Sequence, residues 1–341
     1  LPEEMIDRTI IEEAQEGGSS HFSFQREYCA QFTDGSDSYF SAKKMEMCTL
    51  KGDEEPCTLM VGRSGKRYVM GIDPNMSDSP TADYFAMSVM EIDDETGQGT
   101  LVHTYAGLGS LNKHVKYLAY ILQAFNIVFI CLDNAGSDTY LDSCNESQFF
   151  KDAGINLKTI PLNSDAEGVE YQKTLKQAKQ KYNQENYQIC FNQVFTSNFI
   201  RRANEHLQAC IDYKKIWFAS RTASNESFFN RTSSIRLPYP KKLIFIDDRK
   251  EWSMLDFIEH QDDMIYQTKK QCSLVEHKST ARGSQNFDLP QHLKRSTSAN
   301  KARKDNYSSL MLANWGLKLY NDITKAEINT SKQTFEPIML F

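Results

Sequence analysis

Residues 70–92 read MGIDPNMSDSPTADYFAMSVMEI, and the fold turns on how this stretch is parsed. Arg67 to Ile72 is a short apolar run halted by Asp73-Pro74, and Tyr84 to Ile92 returns as a second apolar run with aromatic and β-branched side chains. Between them lie Asn75, Ser77, Asp78, Ser79, Pro80 and Asp83, a composition that favours turns over sheet. The stretch therefore reads as two adjacent buried strands around a polar loop. A carboxylate at the end of a core strand is costly unless something compensates it. A metal ion and a salt bridge are the two ordinary answers, and this stretch leaves both open.

Working outward, Gly99–Ala106 reads as a third strand, and Leu111–Phe125 places Val115, Leu118, Ala119 and Leu122 at helical spacing. NIVFICLDNAG (126–136) is a strand of buried type that again ends on an aspartate, Asp133. Residues 138–152 read as helix and INLKTIPL (155–162) as a short strand. Helices are expected at 166–184, 197–211 and 250–271, two strands around Gly283 in 272–290, and a last helix after Asp305. Neighbouring strands followed by alternating helix and strand predict an α/β fold built on a mixed sheet. GRSGK (62–66) lacks the spacing of a phosphate-binding loop and reads as a turn leading into the first strand. Trp217 and Phe218 read as core.

The 341 residues suffice for one large domain with an appended segment. Hydrophobic content of 40% and charged content of 25% are those of an ordinary globular chain. No apolar run approaches the ~20 residues needed to span a bilayer. Eight cysteines show no C-x-x-C pair, which reads as a reducing compartment without a zinc site. The net charge of −6 hides an asymmetry: between Lys269 and Lys304 nine Lys/Arg stand against Glu276 and Asp288, a local excess of +7. A solvated loop would explain that excess alone, but it runs directly into Asp305.

Two core strands end on carboxylates, Asp73 and Asp133, and a third, Asp305, stands where the last helix begins. Each has an ordinary structural reading; Asp305 could serve as a helix cap. Together they match what hard divalent cations want, several oxygen donors at converging strand ends. A pair of ions so held stabilises both attacking and leaving oxygens in phosphodiester hydrolysis. The cationic stretch beside Asp305 would position a polyanionic backbone. Its Ser, Thr and Asn residues, in place of aromatics, favour duplex phosphates over stacked single-strand bases. Arg282, Lys294, Arg295, Lys301, Arg303 and Lys304 are the candidate DNA contacts. No His-centred triad is evident among the seven histidines.

The order of these parts resembles the C-terminal nuclease domain of the large terminase subunit of tailed bacteriophages: VMGIDP, a polar loop, ADYFAMSVMEI, IVFICLD, CSLVEHKSTARGSQNFDLP and KARKDNYSSLMLANWG. The resemblance covers roughly residues 60–320 and implies an RNase H-like, RuvC-like mixed sheet flanked by helices, with an inserted β-hairpin. It implies that Asp73, Asp133 and Asp305 hold two Mg²⁺ or Mn²⁺ ions, with Asp83 as an auxiliary acid. The second position is glutamate in a number of relatives, so Asp133 must place its shorter arm by backbone position. It further implies an endonuclease that cuts concatemeric double-stranded viral DNA during packaging. The partners it implies are an N-terminal ATPase domain, a portal and a small terminase subunit. The setting is the cytoplasm of an infected bacterial host at the procapsid, without secretion or a membrane. The chain carries no Walker motif, and its Leu1-Pro2-Glu3-Glu4 start reads as a fragment. The expected organisation is an arm or linker over 1–60, a nuclease domain over 61–330 and a tail over 331–341. A resolvase- or transposase-type nuclease, or a non-catalytic DNA-binding or docking module of a packaging motor, would share the basic segment. Only the three carboxylates favour an enzyme.

Overall fold

The computed structural model describes residues 38–50, 56–162 except 76, 78, 80, 81 and 136, 187–220, 254–279, 285–294 and 302–333. Its strands are β1 (Tyr68–Asp73), β2 (Phe85–Ile92), β3 (Gly99–Gly107), β4 (Ile127–Asp133), β5 (Asn156–Leu162), β6 (Tyr187–Gln193), β7 (Ile216–Phe218), β8 (Glu276–Ser279) and β9 (Gln285–Asp288). Its helices are α1 (Ala42–Met47), α2 (Leu111–Ala124), α3 (Ser137–Glu146), α4 (Gln148–Ala153), α5 (Ser197–Asp212), α6 (Met254–Leu274), α7 (Gln291–Lys294) and α8 (Asp305–Gln333). Among the described residues, seven strands form one sheet in the order β5-β6-β4-β1-β2-β3-β7, and β8 and β9 form a separate antiparallel pair. β1, β2 and β3 run antiparallel in turn, while β4 lies parallel to β1 and β6 parallel to β4. This is the mixed α/β sheet flanked by helices that the sequence predicts. No described helix is long and apolar enough to cross a membrane.

β1 and β2 are buried on both faces, which is why they read as nearly continuous apolar runs. Gly71 pairs with Ser88 on one side and Cys131 on the other, so these three side-chain positions share a face. α8 covers that face, laying Ser309, Ala313 and Gly316 against it. A Cβ added at Gly71 would collide with the backbone of Ser309 and Ala313, and one added at Gly316 would stand 3.3 Å from Cys131 and Phe129. Small residues on both partners let helix and sheet approach at backbone distance. Ser88 and Ser309 satisfy one another through a buried 2.8 Å hydroxyl pair. The opposite face carries Phe85, Tyr105 and His103, and α2 covers it: His114 stacks on Phe85 at 4.5 Å and Tyr117 on Tyr105 at 4.0 Å.

Two strands escape the sequence reading. β7 is only three residues long, and β6 (YQICFNQ) is too polar at its ends to declare itself. Both are strands because neighbours supply partners: β6 sits between β4 and β5, and β7 completes the edge beside β3. The GRSGK stretch is indeed a turn. Gly65 adopts φ +76, the Arg63 amide donates to the Tyr68 hydroxyl at 2.8 Å, and the Arg63 guanidinium pairs with Glu91. The helix expected at 166–184 lies outside the described residues.

Part of the segment expected as an arm, 1–60, is described. Residues 38–50 and 56–60 are packed into the body, with Phe40, Met45, Cys48 and Leu59 at most 1% exposed. The backbone of Cys48 and Leu50 brackets Phe218 of β7 through two hydrogen bonds of 2.9 Å, and Leu59 donates to Val102 of β3. An apolar residue every few positions would be wasted on a solvated linker; here it extends the core beyond β7. Residues 1–37 and 334–341 lie outside the described set, and α8 continues to Gln333 into the expected tail.

His103 is fully buried between Leu59 and Tyr117. The Leu59 carbonyl can only accept, so Nδ1 carries the proton (2.7 Å), and Nε2 accepts from the Tyr117 hydroxyl (2.8 Å). Protonating Nε2 would require that second bond to reverse, and burial holds the imidazole at about 4; His114 and His206 are likewise pushed down to about 4 by burial.

Two outcomes follow from this packing. Gly71→Ala must displace α8 and is expected to lower stability by about 1–3 kcal/mol or more, read from urea midpoints. Unfolding also frees histidines that titrate near 6.5 instead of 4, so it takes up protons in that window. The urea midpoint should therefore fall as pH drops from about 6.5 towards 4, and His103→Gln should flatten part of that fall.

Candidate metal centre

The three acids are brought together by register and by the seat of α8. β1 and β4 are parallel neighbours in which Ile72 pairs with Leu132, so Asp73 and Asp133 are the next residues along adjacent strands. Each is two residues beyond Gly71 or Cys131 and so shares the α8 face. α8 begins at Asp305, one turn before the Ser309 contact with Gly71, which sets Asp305 above the carboxyl end of β1. Asp305 is 4% exposed, while Asp73 and Asp133 are partly buried.

The amides that open α8 find an acceptor outside the helix. The first amides of α8, those of Asn306 and Tyr307, both donate to Oε1 of Gln271 from α6, at 2.9 and 3.3 Å. Asp305 instead turns its Oδ2 to the backbone N–H of Tyr84, 2.8 Å away at the start of β2. The ordinary structural role is thus filled by Gln271, and the carboxylate faces the sheet edge.

The electrostatics record the crowding. Burial, then Asp305, then Asp133, raise the Asp73 carboxyl well above the usual carboxylate range; a hydrogen bond from Ser308 and the charge of Lys304 oppose them. Asp133 is also raised, by burial, against hydrogen bonds from the amides of Ala135 and Asn134. Like charges at close quarters with little water disfavour ionisation. Among the described residues, no three His, Cys, Asp or Glu side chains are placed to hold a metal ion between them. The arrangement is an acidic edge whose mutual repulsion a cation would relieve.

Other predicted site residues fall in different places. Asp83 is exposed, and its backbone carbonyl accepts from the Asn75 side-chain amide. Lys304 lies between the acids and the β8–β9 hairpin, pairing with Asp288 at 3.1 Å while its charge reaches Asp73. Arg303 is turned inward at 9% exposure, with its guanidinium 3.9 Å over the Tyr84 ring and Nη2 3.3 Å from the Ala82 carbonyl. That placement differs from the open phosphate contact expected of it. Lys294 belongs to α7, and Arg282, Arg295 and Lys301 lie outside the described residues. Sequence reasoning passed over Ser308 and Tyr84. Ser308 sits one turn past Asp305 on the same helix, and that spacing is the signal for it. A cleft of about 460 Å³ lined by Gly62–Lys66, Leu122–Ile127 and Gln188 lies at the amino ends of β1, β4 and β6, away from the acids.

An antiparallel β1–β2–β3 meander with β4 parallel beside β1, and acids at the carboxyl ends of both central strands, is an RNase H-like fold with an acidic edge. No family model matches the chain, and no curated protein matches it. Among solved structures, the chain is similar to the large terminase nuclease from thermophilic phage G20c with bound magnesium, at 13% identity and a TM-score of 0.41, covering 82% of this chain and 97% of that one. It is similar to the large terminase nuclease domain of Thermus phage P74-26, at 14% identity and a TM-score of 0.39, covering 81% and 93%. Against the HK97 bacteriophage large terminase the values are 10% and 0.41, and the chain, covered over 92% of its length, spans 51% of that protein.

Because the folded chain holds Asp73 reluctant to ionise, its charge opposes folding once pH rises above the unfolded-chain value of about 3.9. Asp73→Asn should therefore raise the melting temperature of the metal-free protein at pH 7, with the gain shrinking as pH falls towards 4. Calorimetry across that range checks it; a gain independent of pH contradicts the assignment.

Proposed function

We propose that this chain is a divalent-metal-dependent endonuclease that cuts double-stranded DNA. The observation that carries the reading is the convergence of Asp73, Asp133 and Asp305 from three distant segments onto one sheet edge, with Asp73 destabilised as an anion by burial and then by the other two. The donor set fits the group: three carboxylates are hard oxygen donors suited to Mg²⁺ or Mn²⁺, and no soft ligand is needed. Held by Asp73, Asp133 and Asp305, a pair of such ions would supply an acidified water at neutral pH and positive charge for the leaving oxygen.

The chain's own residues do the rest. Asp73 and Asp133 present carboxylates from neighbouring strand ends, and Asp305 closes the third side from the first turn of α8. Asp83, on the exposed loop beside Tyr84, is an auxiliary acid in this reading. Ser308 orients Asp73 by a hydrogen bond to its carboxylate. Lys304 offers a cation next to the acids, where a scissile phosphate would lie, and the basic composition of 269–304 suits a polyanionic backbone.

In this reading, which the resemblance of the sequence motifs supports, the reaction belongs to viral genome packaging, with concatemeric DNA as substrate and an ATPase domain, a portal and a small terminase subunit as partners. The location in this reading is the host cytoplasm at the procapsid.

The test is plasmid nicking with Mg²⁺ or Mn²⁺. Asp73→Asn and Asp305→Asn are each expected to lose at least about 100-fold in cleavage rate, since charge stabilisation by bound metal is worth several kcal/mol. DNA affinity at moderate salt should change little. Cleavage by Asp73→Asn at the wild-type rate would rule out the centre.

A further inference from the structure

Arg303 and Asp305 alternate with Lys304 in the tripeptide that leads into α8, and both reach back to the same short segment, Ala82 to Tyr84. Asp305 Oδ2 accepts the Tyr84 amide at 2.8 Å. The Arg303 guanidinium lies flat on the other handle of the same residue, 3.9 Å above the Tyr84 ring, and donates from Nη2 to the Ala82 carbonyl at 3.3 Å. At 9% exposure it is largely withdrawn from solvent, where a cation–ring contact is strongest. Tyr84 immediately precedes β2, whose Ala86 pairs with Asp73. The segment so gripped is therefore the one that fixes Asp305 relative to Asp73.

We infer that Arg303 is a positioning residue: by clamping the Tyr84 ring and the Ala82 carbonyl it holds the Tyr84 amide against Asp305 and sets that carboxylate for the metal centre. The inference rests on the reading of Asp305 as a metal ligand. It assigns to Arg303 a role other than phosphate binding, and it divides two adjacent cations by task. Arg303 faces the protein and orders the site, whereas Lys304, 39% exposed, faces Asp288 and the acids. Guanidinium suits the first task because its plane can cover a ring while an edge N–H meets a carbonyl. The polar loop between β1 and β2 offers little apolar burial of its own, so a clamp at its exit supplies the order that the loop composition does not.

The test uses the full chain without metal first. Amide hydrogen exchange at Tyr84 should accelerate at least about tenfold in Arg303→Leu, while amides within β1 and β4 stay protected. Tyr84→Leu should match Arg303→Leu in Mn²⁺ affinity measured by calorimetry, each about 10- to 100-fold weaker than wild type, as for loss of a group that orients a ligand. The double variant should be no weaker than either single one. Arg303→Lys, which keeps charge but not the planar stack, should fall between and serves if Arg303→Leu does not fold. Unchanged Tyr84 exchange, or losses that add in the double variant, overturn the clamp. So does a DNA-binding salt slope reduced by about one phosphate with Tyr84 exchange intact, which identifies a backbone contact. If the exchange result holds but wild type neither binds Mn²⁺ nor nicks DNA, the clamp stands and the nuclease reading fails.

Discussion

Ser309 and Ala313 of α8 rest directly on the backbone of Gly71, with no side chain between helix and strand. The depth at which α8 beds on β1 fixes where its first residue stands, and that residue is Asp305. Any Cβ at position 71 would lift the helix and carry the carboxylate away from the strand end. Gly316 against Phe129 and Cys131 repeats the device over β4, so the helix is seated on both acid-bearing strands at once. Close packing turns a small volume change into a displacement of the helix as a body.

From that seat the chemistry of the edge follows. Two parallel strands in register deliver Asp73 and Asp133 side by side, and the helix brings a third anion over them. The protein accepts the resulting repulsion: Asp73 is held far from its ordinary ionisation by burial and by its two neighbours. Sites arranged for function commonly carry such local cost. The remainder of the edge limits it, with Ser308 and Lys304 stabilising the Asp73 charge and backbone amides doing so for Asp133.

Much of this was legible from pattern. Short apolar runs with abrupt polar stops identified β1 to β5, and helical spacing identified α2, α5 and α8. What pattern lacked was partners. β6 and β7 are strands because β4, β5 and β3 pair with them, and a three-residue run such as Ile216–Phe218 carries no period to read. Residues 38–50 looked like a linker because nothing local says that Phe40 and Met45 meet a core formed far downstream. Arg303 looked like its cationic neighbours because charge is visible in sequence and direction is not.

The amino-acid sequence by itself determined that two core strands end on carboxylates, that a helix opens on a third, and that a basic stretch adjoins it. These are local facts, set by composition and spacing. Tertiary structure alone decided that β1 and β4 lie parallel and in register, that Gln271 takes over the capping of α8, and that Tyr84 engages both Asp305 and Arg303. Each joins residues between about 35 and 220 positions apart, as Gln271 to Asn306 and Tyr84 to Asp305 illustrate. Such pairings arise only when the whole apolar surface is buried together, because no local preference is strong enough to select them.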